Sequence, residues 1–212
     1  MHGRAFDDDA RRRGRIAALV GVDEAGRGPL AGPVVVAAVS LPQVPSAALC
    51  RVRDSKRMTA EARERLFGVI ASQAAAVSVA WAHPRSIDRD NILRATLSAM
   101  ARAARRAVSK LGRGGVLVLV DGPHRFPDEA LPQRPVIEGD AQSLCIAAAS
   151  VVAKVVRDRW MRRLARRHPG YGFGVHKGYG TRAHLSALAR LGPCKAHRLT
   201  YAPVSRCAAI RP

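Results

Sequence analysis

Acidic residues, cysteines and long apolar runs are scarce in this sequence, and each shortage excludes a class of protein. Sixteen Asp and Glu face 36 Lys and Arg across 212 residues, which leaves a formal charge of +20. The longest apolar stretch, near residues 33–41, is far shorter than the roughly 18 residues that cross a bilayer, so we expect no membrane span. The N-terminus lacks the apolar segment of a secretory signal, which favours a cytoplasmic location.

The four cysteines include no Cys-x-x-Cys pair, so the sequence indicates neither a disulfide scaffold nor a zinc ribbon. Cys194 and His197 have a ligand-like spacing, but no second pair accompanies them. The chain also lacks internal repeats and Gly/Ser linkers. We therefore expect one main α/β domain with a small C-terminal helical addition.

The excess of cations is consistent with binding to a polyanion such as nucleic acid. Of the 36 cations 31 are arginine, and a biased genome composition would produce the same excess without any binding role. Residues 154–198 hold twelve Lys or Arg and a single acid, Asp158, so +11 of the +20 lies there. We expect this C-terminal part to supply nonspecific affinity that weakens with salt.

Apolar runs and capping residues predict the order of the elements. The predicted strands cover Ile16–Val22, Pro33–Leu41, Ala76–Trp81, Val116–Val120 and the pair Val136–Ile137. The predicted helices begin at Thr59, at Ser86 or Asp88 with a stop at Gly112, at Asp140 with an end near Arg167, and at Thr181 with an end at Gly192. Residues from Cys194 onward are interpreted as a loop or tail.

Four of the few acids occupy pointed positions: Asp23, Glu24 and Asp121 follow apolar strands, and Asp140 precedes a helix. A carboxylate at the edge of a core is costly unless a cation compensates it. That cation is either an Arg or Lys partner or a divalent metal ion, for which such oxygen ligands are suited. Successive strand residues point to opposite faces, so Asp23 and Glu24 share one metal centre only if the strand ends there.

A Gly26-Arg27-Gly28 turn directly follows this acidic pair. Two glycines let backbone N–H groups approach a ligand closely, although a tight turn alone would explain them too. Beside the carboxylates, the turn would bring sugar or phosphate contacts and metal ligands into one site.

Six segments resemble, in order, the signature blocks of type 2 ribonuclease H (ribonuclease HII). They are GVDEAGRGPLAGPVV, DSKRM, IDRDNILRATLSAM, VLVDG, EGDAQSLCIAAASVVAKVVRDRWM and HKGYGTRAHLSAL, and the similarity extends over about residues 16–204. The resemblance implies an RNase H-like fold, a mixed five-stranded sheet flanked by helices with a small C-terminal helical region. It divides the chain into a flexible N-terminal tail at 1–14, a catalytic domain at 15–168, a substrate-binding helical region at 169–205 and a tail at 206–212.

The family hydrolyses the RNA strand of RNA/DNA hybrids and nicks duplex DNA 5′ to a single embedded ribonucleotide, leaving a 3′-hydroxyl and a 5′-phosphate. The resemblance therefore implies that two Mg²⁺ or Mn²⁺ ions bind Asp23, Glu24, Asp121 and Asp140. It implies that the Gly26-Arg27-Gly28 turn and Tyr179 read the 2′-hydroxyl. Other substrate contacts in the resembling blocks are Lys56, Ser150, Lys154 and Lys177. We expect a monomer whose partners are these nucleic acids.

Glu138 departs from the family pattern, which often has Lys two residues before the ligand matched by Asp140. This charge reversal would weaken hybrid binding or alter metal affinity if Glu138 faced the site, and would matter little if it pointed away.

Two other functions are compatible with parts of the sequence. One is another RNase H-like nuclease, such as a junction resolvase, and the other is a noncatalytic basic nucleic-acid-binding protein.

Overall fold

A computed structural model describes residues 2–52, 58–112 and 114–209. Five strands form one sheet in the order β3-β2-β1-β4-β5. The strands are β1 (Ala18–Ala25), β2 (Val34–Ser40), β3 (Ala76–Ala82), β4 (Val116–Asp121) and β5 (Gln133–Val136). The pairs β1–β2 and β2–β3 are antiparallel, and the pairs β1–β4 and β4–β5 are parallel. The predicted α/β class with a mixed five-stranded sheet is confirmed.

Within the described ranges the chain also forms nine α-helices, and none is long and apolar enough to cross a membrane. The helices are α1 (His2–Gly14), α2 (Ala60–Gln73), α3 (Pro84–Asp90), α4 (Ile92–Ser109), α5 (Gly139–Gln142), α6 (Leu144–Arg167), α7 (Phe173–His176), α8 (Arg182–Leu191) and α9 (Ala202–Ala209).

The sheet is covered on both faces, as the unbroken apolar run of β4 predicts. On one face Leu19 and Leu119 belong to a core formed with the apolar half of α6. On the other face Val20 and Val118 pack with the alanine-rich side of α4. Alternate residues of the same strands therefore serve different cores, and the central strands lie between two helical layers.

Gly21 allows α6 to lie very close to β1 beside the carboxylates. An added Cβ at Gly21 would collide with the backbone of Cys145 and Ile146 in the first turn of α6. This close approach places the first half of α6, with Ser150, next to the end of β1.

The parallel register of β1 and β4 places two acids side by side. Val22 pairs with Val120, and the next residue along each strand is Asp23 and Asp121. The prediction that β1 stops at Asp23 was wrong, since β1 extends to Ala25. Beyond Val22 it keeps its antiparallel partner β2 while its pairing with β4 ends, so the side of the strand that faced β4 is open to the site there.

Two predicted helix starts were wrong because other residues supply the caps. Asn91, with φ of 66°, separates α3 from α4, and its side chain accepts from the N–H of Arg94. Ser143 rather than Asp140 caps α6, accepting from the N–H of Ile146. Asp140 instead lies within the one-turn helix α5. The caps at Thr59 and Thr181 agree with prediction.

The two ends of the chain are more ordered than the sequence suggests. Residues 2–14, expected to be a flexible tail, form α1, and the buried Asp7 joins it to α6. The segment after Cys194, expected to be a loop or tail, makes a β-bridge between Ala31 and His197 and continues into α9. Both segments make long-range contacts, through the Asp7 bonds to α6 at one end and through the His197 bridge and the buried Val204 at the other.

Asp7 serves as a cap supplied from outside α6: its carboxylate accepts from the Ser143 hydroxyl at 2.7 Å and from the Cys145 N–H at 3.0 Å. We expect Asp7→Ala to lower the free energy of unfolding by about 2 kcal/mol, since it removes a helix cap and leaves buried donors unsatisfied. Urea denaturation measures this. Asp9→Ala on the same helix, which removes only an exposed pair with Arg13, is the control and should change stability by under about 0.5 kcal/mol. Equal losses in both variants would contradict a capping role for Asp7.

Candidate active site

One pocket at the carboxyl ends of β1 and β4 gathers most of the predicted site residues. Its lining comprises Asp23, Glu24, Ala25, Gly26, Arg27, Gly28, Asp121, Ser150, Lys154, Arg157 and Tyr179. Asp23 and Glu24 therefore border the same pocket although they are adjacent in a continuous strand. Acids, backbone turn and tyrosine come together from three separate parts of the chain.

Asp23 is the centre of the negative charge. Its side chain is buried, and its carboxylate accepts from the N–H of Glu24 at 2.6 Å and from the hydroxyl of Ser150. Burial raises the pKa of Asp23 well above its usual 3.8, and the neighbouring charges of Glu24 and Asp121 raise it further. The local potential at this carboxylate is thus strongly negative despite the excess of cations in the chain.

The other three acids differ in how they join this centre. Glu24 lies 3.6 Å from the guanidinium of Arg27. Asp121 accepts from the N–H of Gly139 at 2.7 Å, which ties β4 to the start of α5. Asp140 follows Gly139 directly, but it is not among the residues that line the pocket. The structure therefore brings three of the four predicted ligands to one pocket and leaves Asp140 beside it.

The donor set suits a hard divalent cation. Across the described ranges no three His, Cys, Asp or Glu side chains already converge on a single metal position. Burial is the main cause of the raised pKa of Asp23, and the nearby charges of Glu24 and Asp121 raise it further. A cation among these acids would offset both effects, and carboxylate oxygens are the ligands that Mg²⁺ and Mn²⁺ prefer. The carboxylates that line the pocket are therefore suited to binding a divalent ion.

The Gly26-Arg27-Gly28 turn forms one wall of the pocket. Gly26 has φ of 97°, and a Cβ there would collide with the side chain of Arg157, so the protein itself requires this glycine. A Cβ at Gly28 would meet no atom of the described residues within 4 Å. The fold does not need a glycine at position 28, but a ligand that approaches the backbone closely would.

Two buried arginines, neither of them predicted from the sequence, hold this turn and the segments beside it. Arg198 donates to the carbonyls of Gly26 and Arg27, both at 2.6 Å, and to that of Gly32. Arg157 donates to the carbonyls of Pro33, Ala31 and Lys177, and burial lowers its pKa to about 10.

A buried charge is tolerated where hydrogen bonds satisfy it. Backbone carbonyls accept from all three nitrogens of Arg198 and from Nε and Nη2 of Arg157, whereas Nη1 of Arg157 is buried without a hydrogen-bond partner among the described residues. Neither arginine stands out in the sequence, because Arg157 is one of several cations in the basic half of α6 and Arg198 lies in a segment interpreted as loop or tail.

Tyr179 lies at the rim of the pocket with 46% of its surface exposed. Its ring is 5.9 Å from the guanidinium carbon of Arg157. An exposed ring backed by a buried cation is available for contact with a ligand in the pocket.

The remaining predicted contacts are spread more widely. Ser150 and Lys154 line the pocket, and the amino group of Lys154 pairs with Asp158 at 2.7 Å. Lys177 lies outside the lining, and its amino group donates to the carbonyl of Gly174. Lys56 is outside the described residues. Glu138 is exposed and does not line the pocket. We therefore expect its negative charge to have little effect on hybrid binding or metal affinity.

The raised pKa of Asp23 predicts that its negative charge lowers the free energy of unfolding. Because the pKa of Asp23 in the folded chain lies above the usual 3.8, the free energy of unfolding falls as the pH rises from 3.8 to the folded-state pKa. The full loss of stability remains at every higher pH. We expect Asp23→Asn, which keeps an acceptor oxygen, to raise the free energy of unfolding by about 1 kcal/mol or more in a chelator at neutral pH.

Denaturant unfolding with and without Mn²⁺ measures this effect. If the folded acids bind Mn²⁺, the ion should stabilise the native chain more than the variant, which lacks one of the carboxylates. Asp90→Asn, at an exposed aspartate paired with Arg89, is the control for loss of a carboxylate elsewhere. A stability loss in Asp23→Asn comparable to that of a core mutation would contradict the charge argument.

Known proteins match this chain over most of its length. A profile of the family described as Ribonuclease HII matches residues 20–204. A ribonuclease HII from Nitrosococcus oceani is 51% identical over 188 residues, covering 89% of this chain and 90% of that protein. These matches include the strands, the turn and the tyrosine loop that form the pocket.

Solved structures show the same fold. The ribonuclease H2 from Pyrococcus horikoshii superposes with a TM-score of 0.72 at 24% identity, covering 91% of this chain and 97% of that chain. A Bst-RNase HIII in complex with Mn²⁺ superposes with a TM-score of 0.78 at 20% identity, covering 95% and 72%. Because the profile match spans most of the chain and the sequence relative is half identical over nearly its full length, this protein belongs to the ribonuclease HII family of metal-dependent ribonucleases.

Proposed function

We propose that the chain hydrolyses the RNA strand of RNA/DNA hybrids and nicks duplex DNA 5′ to a single embedded ribonucleotide, leaving a 3′-hydroxyl and a 5′-phosphate. The observation that supports this best is the shared pocket: the carboxylates Asp23, Glu24 and Asp121 lie beside the Gly26-Arg27-Gly28 turn and Tyr179. Chemistry on a phosphodiester and recognition of the adjoining sugar then occur in one place.

The carboxylates would hold two divalent ions, Mg²⁺ or Mn²⁺. Asp23, Glu24 and Asp121 would bind them from the pocket, and Asp140 would join from α5, which the bond between Gly139 and Asp121 keeps nearby. Such ions would lower the pKa of an attacking water and offset the charge on the oxygens of the phosphodiester. Among the residues that line the pocket in the described ranges there is no histidine, so we assign no imidazole base.

Discrimination between ribose and deoxyribose requires contact with one hydroxyl, which both donates and accepts hydrogen bonds. The open space at Gly28 lets a sugar reach the backbone of the turn, and Arg198 fixes that backbone by holding the carbonyls of Gly26 and Arg27. Tyr179 would add its phenol to the hydroxyl and its ring to the neighbouring sugar. The turn and the tyrosine are the part of the site that a general RNase H-like nuclease would not need.

The region 169–205 would hold the duplex against the catalytic domain at 15–168. It carries Tyr179. Residues 154–198, which combine most of this region with the adjoining end of α6, hold +11 of the net charge of +20. Lys154 and Lys177, together with Lys56 and Ser150, would contact phosphates, which position a duplex without reading its sequence. Lys154 would exchange Asp158 for phosphate when a substrate binds.

A duplex that carries one ribonucleotide separates this function from its rivals. With Mg²⁺ or Mn²⁺ we expect a nick 5′ to the ribonucleotide and no cleavage of an all-DNA duplex or of a four-way junction. Asp121→Asn should reduce the rate by at least about 100-fold, the usual scale for losing electrostatic stabilisation of a transition state, while the exposed Asp90→Asn leaves it unchanged. Binding without any nick would favour the noncatalytic alternative, and full activity in Asp121→Asn would contradict the metal assignment.

Two substitutions at Tyr179 separate the roles of its hydroxyl and its ring. We expect Tyr179→Phe to lose about tenfold in kcat/KM, the value of roughly one hydrogen bond, and Tyr179→Ala to lose much more because ring packing is lost as well. Steady-state cleavage of the same duplex measures both. Equal losses would mean that the ring makes no packing contribution.

A further inference from the structure

Two buried histidines lie behind the loop that presents Tyr179. His184 is in the first turn of α8, His197 follows in the C-terminal segment, and both residues are buried. Nε2 of His184 lies 3.1 Å from Nε2 of His197, and Nδ1 of His184 lies 2.9 Å from the carbonyl oxygen of Tyr179. The imidazole pair therefore connects the C-terminal segment with the backbone of the tyrosine.

The hydrogen bonds admit a single arrangement of protons. The N–H of Cys194 donates to Nδ1 of His197 at 3.0 Å, so that nitrogen carries no proton. A neutral His197 must then carry its proton on Nε2 and donate to Nε2 of His184. His184 in turn carries its proton on Nδ1, where it meets the carbonyl of Tyr179, which only accepts.

Both rings are neutral in this arrangement, and a proton added to either ring would set two donors against each other. The surroundings favour the neutral forms: burial lowers the pKa of His184, and burial with the neighbouring His184 lowers the pKa of His197 to about 4. The two histidines consequently have opposite tautomers, a pattern that ordinary core packing does not require.

A third imidazole, His176, fixes the same loop, and its ring stacks on that of His184 with 4.4 Å between centroids. Its Nδ1 accepts from the N–H of Gly178 at 3.1 Å, and its Nε2 lies 2.7 Å from the carbonyl of Tyr171. The loop needs such support because Lys177 and Gly178 both have positive φ, 54° and 83°. Backbone groups at positions 178 and 179 are thus each bound to an imidazole, while the Tyr179 ring stays exposed at the pocket.

We propose that His184 and His197 form a fixed-tautomer hydrogen-bond relay that positions Tyr179 for recognition of the ribonucleotide. They are positioning residues, since neither lines the pocket, and they act through the Tyr179 carbonyl. The inference rests on the proposed function insofar as Tyr179 contacts the sugar. The relay itself is a property of the free protein.

The proton arrangement is tested without any substrate. In long-range ¹⁵N–¹H NMR spectra at neutral pH, His184 should show a protonated Nδ1 and a bare Nε2, and His197 the reverse. Spectra of His184→Asn and of His197→Gln assign the signals. The same tautomer in both residues, or an imidazolium in either, would overturn the relay.

A double-mutant cycle tests whether the relay acts through the tyrosine. His184→Leu should lower kcat/KM on the single-ribonucleotide duplex by about tenfold, the loss expected for one hydrogen bond that positions a contact group. In a Tyr179→Ala background the same change should alter the rate by less than about twofold, because the group it positions is already gone. His184→Asn, whose amide nitrogen occupies the place of Nδ1, should recover part of the loss.

A buried residue elsewhere controls for general destabilisation. Ile70→Ala in α2 opens a cavity at a fully buried side chain outside the pocket lining and should lower the melting temperature without changing kcat/KM. If His184→Leu loses as much in the Tyr179→Ala background as in the native chain, the positioning role is refuted and the pair is structural. If the native chain does not cleave the duplex at all, the proposed function fails, while the NMR result still decides whether the relay exists.

Discussion

The structure depends on gathering negative charge at the end of its central strand. Asp23 is buried beside Glu24 and close to Asp121, and each of these neighbours makes ionisation of Asp23 less favourable. The fold opposes this repulsion with donors, namely the hydroxyl of Ser150 and the backbone N–H groups that reach Asp23 and Asp121. A protein with so few acids that places them against one another keeps a strongly negative site within a strongly positive molecule.

Several of the many cations make hydrogen bonds or ion pairs within the protein. Arg157 and Arg198 are fully buried and direct their hydrogen bonds to backbone carbonyls of the turn and its neighbours, so they shape the wall of the pocket and add nothing to the outer surface. Lys154 is engaged with Asp158, and the exposed Arg159 with Glu64. The charge of the C-terminal part is therefore partly internal, and net charge alone overstates the surface that a nucleic acid would meet.

The elements that the sequence predicts well are those specified locally. Apolar runs define the strands, and Thr59 and Thr181 cap their helices through bonds to residues three positions away. Of the features it misses, the Asn91 and Ser143 caps are local, whereas the attachment of α1 is specified at long range: α1 is joined to α6 through Asp7 and Ser143, which are 136 positions apart. No window of neighbouring residues contains that information.

The candidate site divides in the same way. The acids could be predicted because a carboxylate after an apolar strand is conspicuous, and the parallel register of β1 and β4 then brings Asp23 and Asp121 together. The parts that fix the recognition surface gave no such signal. Arg198 reaches the turn from 172 positions away from Gly26, and His184 becomes meaningful only through the distant carbonyl and imidazole that it joins. The acids of the candidate site can therefore be predicted from their neighbours in the sequence, whereas the residues that hold the turn and the tyrosine loop in place can be identified only in the folded chain.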